Sequence, residues 1–588
     1  MLRNPEARLQ VVVALLVVAL ALILVKLVQL QVLDRGEYQD VVEDTIYRTY
    51  ALPEPPRGRV LDRNGDLLIG NVPTYDVGAQ LTAIQPTDVP TIATSLAPIL
   101  GMEIPELMSL LNSEYPWVYL ARGVSVETAH AITEVVTAHN RRAQNSQTER
   151  KWDWLSLQET WRRYYAEGAL AAHVLGFVNE EGVGYGVEAA QQRFLRPQSV
   201  QNQGVVNVLS EPLSEELAST EVRTYPGADL VLTIDRTIQA FVEGELDKAL
   251  AEFGAASGTI LVMDPRTGAI LASASRPTYR PYDYMGYGGD ARDLFADPAL
   301  RDYEPGSIFK PLVVAAAVDS GRVTADWSYY DTGVVEYGGV FIRNWDRKGY
   351  GQQNLQGILD YSLNTGVATL TTRVMGPEVF YAYIRRFGFG QRTGIGLVGE
   401  SPGVVHLPSD LGWEDGFLAT NAFGQGISVT PLQLATAATA LANHGTMMAP
   451  YIVAERHYPD GRRSVTAPRA LGSVLRPETA DYVAELMANT VSNRLTMAQV
   501  PGYRIAGKTG TAQIPVSGGY ERDDVITSFL GFGPLPDPQL LILVKLDRPQ
   551  VPMHLRWGTQ TAAPVFQRVA SRLFVLLGIP PTEGWAGP

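Results

Sequence analysis

Cysteine is absent from all 588 residues. That excludes disulfides, thiolate metal sites and a cysteine nucleophile, and leaves the redox compartment open. Histidine is scarce and scattered: His130, His139, His173, His406, His444, His457 and His554 include no His-Glu-x-x-His pair. No metal or other cofactor is expected. Positive charge is also in deficit, with a formal net charge of −14. This opposes a nucleic-acid partner, whose phosphates need clustered Lys and Arg.

The rarest charge is lysine. Only Lys26, Lys151, Lys248, Lys310, Lys348, Lys508 and Lys545 occur, and the other 41 of 48 basic residues are arginine. Arginine cannot give up its proton, whereas a desolvated lysine can. Most of the seven read as survivors of codon bias. Lys310 and Lys508 are the ones that fall inside motifs.

Long apolar runs are lacking too, except for one. "LQVVVALLVVALALILVKLVQLQVL", residues 9–33, is unbroken in its apolar core from 11 to 25. At about 1.5 Å per residue it reaches roughly 37 Å, enough to span a bilayer with tilt. Ala19-Leu20-Ala21 imitates a signal-peptidase site, but the run continues well past it, so an uncleaved signal anchor is expected behind a short cytoplasmic tail, 1–8. Arg3 and Arg8 precede the run, while Lys26 and Arg35 blunt the charge asymmetry. Orientation therefore rests on the long polar remainder, translocated behind a single anchor.

What is present suits a globular, multidomain chain: 46% hydrophobic and 19% charged residues over a length too great for one core. After the anchor, Asn64-Gly65 between alternating runs signals a hairpin. Residues 86–140 are helical in pattern, and 171–195 read as strand, glycine-rich turn and helix. The polar stretch at 213–220 is the expected boundary. Beyond it, "SGTILVMDPRTGAILASAS" reads as strand, turn, strand. "TPLQLATAATALANHG" reads as a helix with Thr430 as N-cap, Pro431 in the first turn and a stop at 443–445. Near the end, "GYRIAGKTGTAQI" and "ITSFLGFGPLPDPQLLILVKLDRP" supply three more strands. Two strands, many helices, then three strands describe an α+β domain whose sheet is closed by both ends of the segment.

Three short motifs fall in this second half. In "YEPGSIFKP", Ser307 and Lys310 stand three apart at a helix start, where Oγ and Nζ can meet and the helix dipole favours an alkoxide and a neutral amine. Alone the pattern is weak, since Ser-x-x-Lys arises by chance on the order of once per few hundred residues. In "LDYSLNTG", Ser362 and Asn364 can face one side of a cleft, although such residues are usually turn formers. In "GKTGTAQ", strand alternation sends Lys508 and Gly510 to one face and Thr509 and Thr511 to the other. Glycine there allows close backbone approach, and the bland alternative is a glycine-bent edge strand with a solvated lysine. Lys-Thr-Gly arises by chance only about once in several thousand residues.

In this order, Ser-x-x-Lys, Ser-x-Asn and Lys-Thr-Gly form the signature of penicillin-binding proteins and class A β-lactamases. The chain resembles a class B penicillin-binding protein, a monofunctional peptidoglycan D,D-transpeptidase of the elongation or division type. "PPRGRVLDRNGDLLIGN", "AAHVLGFVNEEGVGYGVE", "LTIDRTIQ" and "FGQGISVTPLQLA" extend the resemblance over nearly the whole chain. Leu363 is a mild departure from the commoner Ser-Ser-Asn.

The resemblance implies an elongated, non-catalytic α/β pedestal at 34–215. A β-lactamase/DD-peptidase-like transpeptidase domain, an antiparallel sheet flanked by helices, would follow at 216–580. No glycosyltransferase domain is implied. Ser307 would attack the D-Ala-D-Ala carbonyl of a peptidoglycan stem peptide, and Lys310 would take its proton. Ser362 would pass a proton to the leaving group with Lys508 polarising the path, and Asn364 would position the acyl chain. Backbone N–H groups of Ser307 and Thr511 would form the oxyanion hole, worth about 3 kcal/mol per donor. Thr509, Gly510 and Thr511 would line the substrate site, the threonines holding its carboxylate. β-Lactams would acylate Ser307. The catalytic domain would lie outside the cytoplasmic membrane, with a polytopic glycan polymerase as partner. D,D-carboxypeptidases and β-lactamases share the motifs but send water to the acyl-enzyme. A silent β-lactam sensor or scaffold would also retain the fold.

Overall fold

The computed structural model describes residues 55–146, 150–179, 181–197, 225–288, 291–516 and 519–582, with short pieces at 13, 16–24, 26, 29, 47–50 and 202–205. The expected boundary at 213–220 lies outside the described residues. So does most of the apolar run at 9–33, of which 16–24 is helical with its leucines and valines exposed. Among the described residues no helix is long and apolar enough to cross a membrane.

Two compact units alternate along the chain. The first takes Met1–Pro56, Pro73–Arg162 and Pro197–Pro226, and the second takes Arg57–Val72, Arg163–Arg196 and Gly227–Pro588. In the first unit, helices Val89–Leu100, Ile104–Leu111 and Val126–Ala143 accompany strand Trp117–Val124 and all but the last three residues of strand Leu155–Tyr165. Their core is Val77, Ile92, Leu96, Leu107, Leu120, Ile132, Trp152 and Trp154. Ser125 caps the third helix by accepting a hydrogen bond from the Thr128 N–H at 3.1 Å. His139 stacks on Trp152 with ring centres 4.1 Å apart. Its Nε2 lies 2.8 Å from the Arg150 carbonyl, so this histidine is a satisfied core residue.

The second unit is built on a five-stranded antiparallel sheet. From one edge to the other, its strands are Ile270–Arg276, Ser257–Met263, Leu540–Asp547, Gly519–Gly533 and Ala506–Val516. Both chain ends of the segment therefore meet in one sheet, as the strand order in the sequence implied. One face packs helices Arg236–Phe253 and Ala562–Leu576 over Val242, Leu246, Ile260, Phe529, Val544 and Phe566. Helices Lys310–Asp319, Pro431–Ala442 and Pro477–Arg494 contribute to the larger core that includes Phe309, Val314, Leu434, Val483, Leu530 and Leu543. Thr430 and Gln433 close a full capping box on helix Pro431–Ala442. Such a cap is worth about 1 kcal/mol.

Arg57–Val72 and Arg163–Arg196 fall inside the range expected as pedestal, yet pack in this second unit. Their polar contacts account for that. Asp62 is fully buried and accepts from the N–H groups of Asn64 (2.7 Å), Asp66 (2.9 Å) and Arg236 (3.1 Å). It thereby orders the Asn64-Gly65 turn and the start of helix Arg236–Phe253 together. Glu188, 1% exposed, pairs with Arg57 Nη2 at 2.7 Å and with Arg163, which also donates to the Gly58 carbonyl at 2.9 Å. Glu188→Gln leaves two guanidinium groups facing a neutral amide. It is expected to cost about 3 kcal/mol, the low end for breaking a buried ion pair because both arginines keep some water. Urea denaturation checks this as a lowered midpoint at unchanged slope.

Candidate active site

Ser307 sits half-buried in a 3₁₀ turn, Gly306–Phe309, that leads directly into helix Lys310–Asp319. Glycine at 306 is required: its φ is +61°, and an added Cβ would meet Ala512 Cβ at 3.1 Å. A second turn grips it from the other side. The Gly306 N–H donates to the Gly424 carbonyl at 3.1 Å, and a Cβ on Gly424 would approach the Gly306 oxygen to 2.4 Å. Glu304 fixes that turn by accepting from the Gly426 N–H (2.9 Å) and the Tyr520 hydroxyl (3.3 Å). Burial pushes the Glu304 carboxyl up, against the pull of those two donors. The nucleophile turn is thus held on three sides before any substrate arrives.

Lys310 is fully buried. Its Nζ donates to the Ser362 carbonyl (2.5 Å), Ser362 Oγ (3.2 Å) and Asn364 Oδ1 (2.8 Å). The expected meeting with Ser307 Oγ is not among its hydrogen bonds. A lysine ammonium has three donors, and all three are used here. Once neutral, the amine needs only two donors, for Ser362 O and Asn364 Oδ1. Its lone pair then becomes free for a hydroxyl proton. Burial, and next the nearby charge of Lys508, hold the Lys310 amine well below the usual lysine range.

Ser362 and Asn364 are brought together as expected, from a different backbone than a simple loop. Helix Leu355–Asp360 ends, Ser362 turns through a left-handed φ of +53°, and Asn364 opens helix Asn364–Thr369. A positive φ at a non-glycine residue is strained and persists only where its surroundings enforce it. Here three anchors do so. Lys310 binds Ser362 twice, and Leu363 is fully buried on the opposite side. Leu363 therefore occupies a core position, which explains why the middle residue of this motif departs without disturbing its neighbours. Asn364 Nδ2 donates to the Arg343 carbonyl at 2.9 Å, fixing which end of the amide faces Lys310.

Lys508 lies on the edge strand Ala506–Val516, 1% exposed. Its Nζ donates to Ser362 Oγ at 3.1 Å and to the Thr509 carbonyl at 3.1 Å. Burial pulls its amine down to about 7, against the opposing charge of Asp360. Alternation holds: Lys508 and Gly510 point into the domain, Thr509 and Thr511 remain half-buried on the other face. The bland reading of a solvated lysine is ruled out by burial. Gly510 also answers a packing need. An added Cβ would strike Ser528 Oγ at 2.4 Å, Ile308 Cγ2 at 3.0 Å and the Pro305 oxygen at 3.2 Å. Its missing side chain makes room for the nucleophile turn. Thr511 Oγ1 accepts from the Gly558 N–H at 3.2 Å. Because the strand is an edge, its outer N–H groups have no strand partner.

Several supporting residues carry no local motif. Asp331 (2% exposed) accepts from Thr365 Oγ1 (2.8 Å), Asn344 Nδ2 (2.8 Å) and the N–H groups of Gly333 (2.9 Å) and Tyr350 (3.0 Å). The network locks Thr365, directly after Asn364. Trp345 and Trp557 meet edge-to-face with centroids 5.0 Å apart, each adjoining one wall of the site. The only hint of these in the sequence is tryptophan beside a polar turn at "RNWDRKG" and "LRWGT".

A serine on a pre-formed turn, two desolvated lysines and a shared hydroxyl define a serine acyl-transfer site. Comparison with known proteins gives the same class. Residues 258–571 match the penicillin binding protein transpeptidase domain, and residues 53–232 match the penicillin-binding protein dimerisation domain. Stage V sporulation protein D of Bacillus subtilis strain 168 is 32% identical over 542 residues, 90% of this chain and 80% of that protein. Peptidoglycan D,D-transpeptidase FtsI of Escherichia coli K12 is 29% identical over 543 residues, 89% of this chain and 84% of that protein. Among solved structures, penicillin binding protein 3 from Mycobacterium tuberculosis, complexed with ampicillin, superposes with a TM-score of 0.67 at 26% identity. That match covers 91% of this chain and 98% of the other. The chain belongs to the penicillin-binding protein transpeptidase family, and within it to class B.

Proposed function

We propose that this class B peptidoglycan D,D-transpeptidase carries its acyl group on Ser307. The observation that supports this most directly is the convergence of two buried lysines on one hydroxyl: Lys310 Nζ and Lys508 Nζ lie 3.2 and 3.1 Å from Ser362 Oγ. The neutral Lys310 amine accepts the Ser307 proton as Oγ attacks the D-Ala-D-Ala carbonyl. Backbone N–H groups of Ser307 and Thr511 stabilise the oxyanion. The proton passes through Ser362 to the departing D-alanine nitrogen, while the Lys508 ammonium favours that direction of transfer. Thr509 and Thr511 hold the terminal carboxylate, and Asn364 positions the acyl chain. The amine of a neighbouring stem peptide then attacks the ester, forming the cross-link and returning Ser307.

The apolar run at 9–33 serves as a single anchor, leaving the catalytic unit outside the cytoplasmic membrane where stem peptides lie. A polytopic glycan polymerase is the membrane partner that such an anchor suits.

The wild type is expected to label covalently with a fluorescent penicillin and to release it slowly, with release accelerated by an added D-amino acid amine more than by water alone. Ser307→Ala is expected to remain dark on a denaturing gel at equal circular dichroism. Labelling that survives in Ser307→Ala would overturn the assignment of the nucleophile. Rapid turnover of the label would indicate a hydrolase.

A further inference from the structure

Lys508 is buried without any carboxylate in hydrogen-bond contact: Ser362 Oγ and the Thr509 carbonyl are its acceptors. A lysine in that setting would ordinarily surrender its proton, leaving two neutral amines where the proposed chemistry needs one neutral and one charged. Something must keep the proton on Lys508. The candidate is Asp360, the last residue of helix Leu355–Asp360 and two residues before Ser362.

Asp360 is held in place with unusual care for a half-buried side chain. Its Oδ1 accepts from Thr490 Oγ1 at 2.8 Å and from Gln356 Nε2 at 2.7 Å. Gln356 is in turn tied to the Leu486 carbonyl at 3.1 Å. Thr490 and Leu486 belong to helix Pro477–Arg494, which packs against the strand carrying Lys508. The carboxylate is thus fixed between the helix leading into Ser362 and the helix that packs behind the edge strand. Both of these hydrogen bonds come from neutral donors.

We infer that Asp360 is a positioning residue for the transpeptidase reaction, its fixed carboxylate holding the Lys508 side chain as the ammonium while Lys310 is left as the base. This rests on the acyl-transfer reading above and deepens it, assigning a division of labour between the two lysines.

The charged groups around Lys508 are few. Lys310 faces it from the nucleophile helix and opposes its charge. Asp360 supports it. Arg494, at the end of helix Pro477–Arg494, lies with its guanidinium carbon 4.4 Å from the Tyr361 ring centre and donates to the Tyr361 hydroxyl at 2.5 Å. The neighbouring strand presents Leu530 opposite Lys508, which carries no charge.

The consequence is a pH effect of defined sign. Acylation needs Lys310 neutral, which sets the acid limb of the rate profile, and Lys508 charged, which sets the alkaline limb. Removing the Asp360 charge lowers the Lys508 proton affinity, so the alkaline limb moves toward acid. Asp360→Asn, which preserves size and both acceptor bonds, is expected to shift that limb by about half to one pH unit. The rate at pH 8 should fall about three- to tenfold, with a much smaller change at pH 6. Asp360→Glu, which restores the charge, should return the limb toward wild type.

The test is the rate of acylation of the full chain by a chromogenic β-lactam from pH 5.5 to 10, for wild type and the three variants Asp360→Asn, Asp360→Ser and Asp360→Glu. Asp360→Ser supplies the neutral side chain if Asp360→Asn fails to fold. A limb shared by both neutral variants and distinct from that of Asp360→Glu carries the inference. A limb unmoved in a folded neutral variant, or an equal loss at every pH, overturns it and leaves Asp360 a helix-packing residue. The two readings fail separately: a Ser307→Ala chain that still labels defeats the acyl-enzyme itself, whereas an unmoved limb with Ser307→Ala dark defeats only the role of Asp360.

Discussion

Acylation by a chromogenic β-lactam is expected to fall by about 10²- to 10⁴-fold when Lys310 is replaced by methionine, the range that a positioned general base supplies. Methionine fills the same buried space without an amine, so the Ser307 hydroxyl loses its acceptor while the turn that carries it is retained. Lys310→Arg should recover little. A guanidinium keeps its proton at any pH the protein survives, and its planar fork has no room beside Ser362 and Asn364. The stability response distinguishes chemistry from structure. Lys310 bonds only to neutral oxygens, those of Ser362 and Asn364, and pairs with no carboxylate. Its burial is therefore a cost to folding rather than a gain. The melting temperature of Lys310→Met should accordingly change little, the released desolvation cost offsetting the lost bonds to Ser362 and Asn364. A fall of more than about 5 °C alongside the lost activity would recast Lys310 as a structural residue. In the wild type the acid limb of the rate profile should lie well below the usual lysine range, because burial and then the Lys508 charge lower the Lys310 amine. Had Lys310 kept an ordinary lysine affinity, that acid limb would lie in the alkaline range.

Much of this site could be read from residue order because its chemistry is carried by short local patterns. Ser307 and Lys310 are one helical turn apart, Ser362 and Asn364 share one helix junction, and Lys508 to Thr511 lie on one strand. The sheet was legible for a similar reason: apolar alternation and turn residues mark its five strands at the two ends of the segment. What local pattern could not convey is contact between distant stretches. Nothing near Gly306 announces Gly424, more than a hundred residues away, whose backbone grips the nucleophile turn. Gly510 reads in the sequence as a residue kept small for substrate, and the packing of Pro305 and Ile308 against it adds that the protein itself needs it small. Likewise, the spacing of Ser307 and Lys310 predicted a direct contact, while the structure directs Lys310 toward Ser362 and Asn364. Helical geometry says which side chains share a face. It does not say which of several acceptors on that face wins the donor.

The second large effect is expected at a residue with no motif at all. Asp331 is 2% exposed and accepts four hydrogen bonds, from Thr365, Asn344, Gly333 and Tyr350. Asp331→Ala strands those donors in a space that admits little water. Each buried group left unmade costs about 1–3 kcal/mol, so even with partial relaxation a loss of roughly 3–5 kcal/mol follows. Scanning calorimetry should register this as a melting temperature lower by several degrees. The functional loss should exceed what instability alone explains. Thr365 follows Asn364 directly, and Asn344 follows Arg343, whose carbonyl receives Asn364 Nδ2. Without Asp331 both walls of the Asn364 amide become free to move, and the Asn364 Oδ1 that Lys310 binds is no longer fixed. At a temperature where the variant is fully folded, acylation should still be down about tenfold or more, a scale set by small misplacements of groups that position reacting atoms. Thr365→Val provides the control. It removes one donor to Asp331 while leaving the carboxylate its other three partners, so it should lose less stability and less rate. If Asp331→Ala instead acylates at the wild-type rate once folded, the network only supports the fold, and the strained Ser362 turn is held by Lys310 and the buried Leu363 alone.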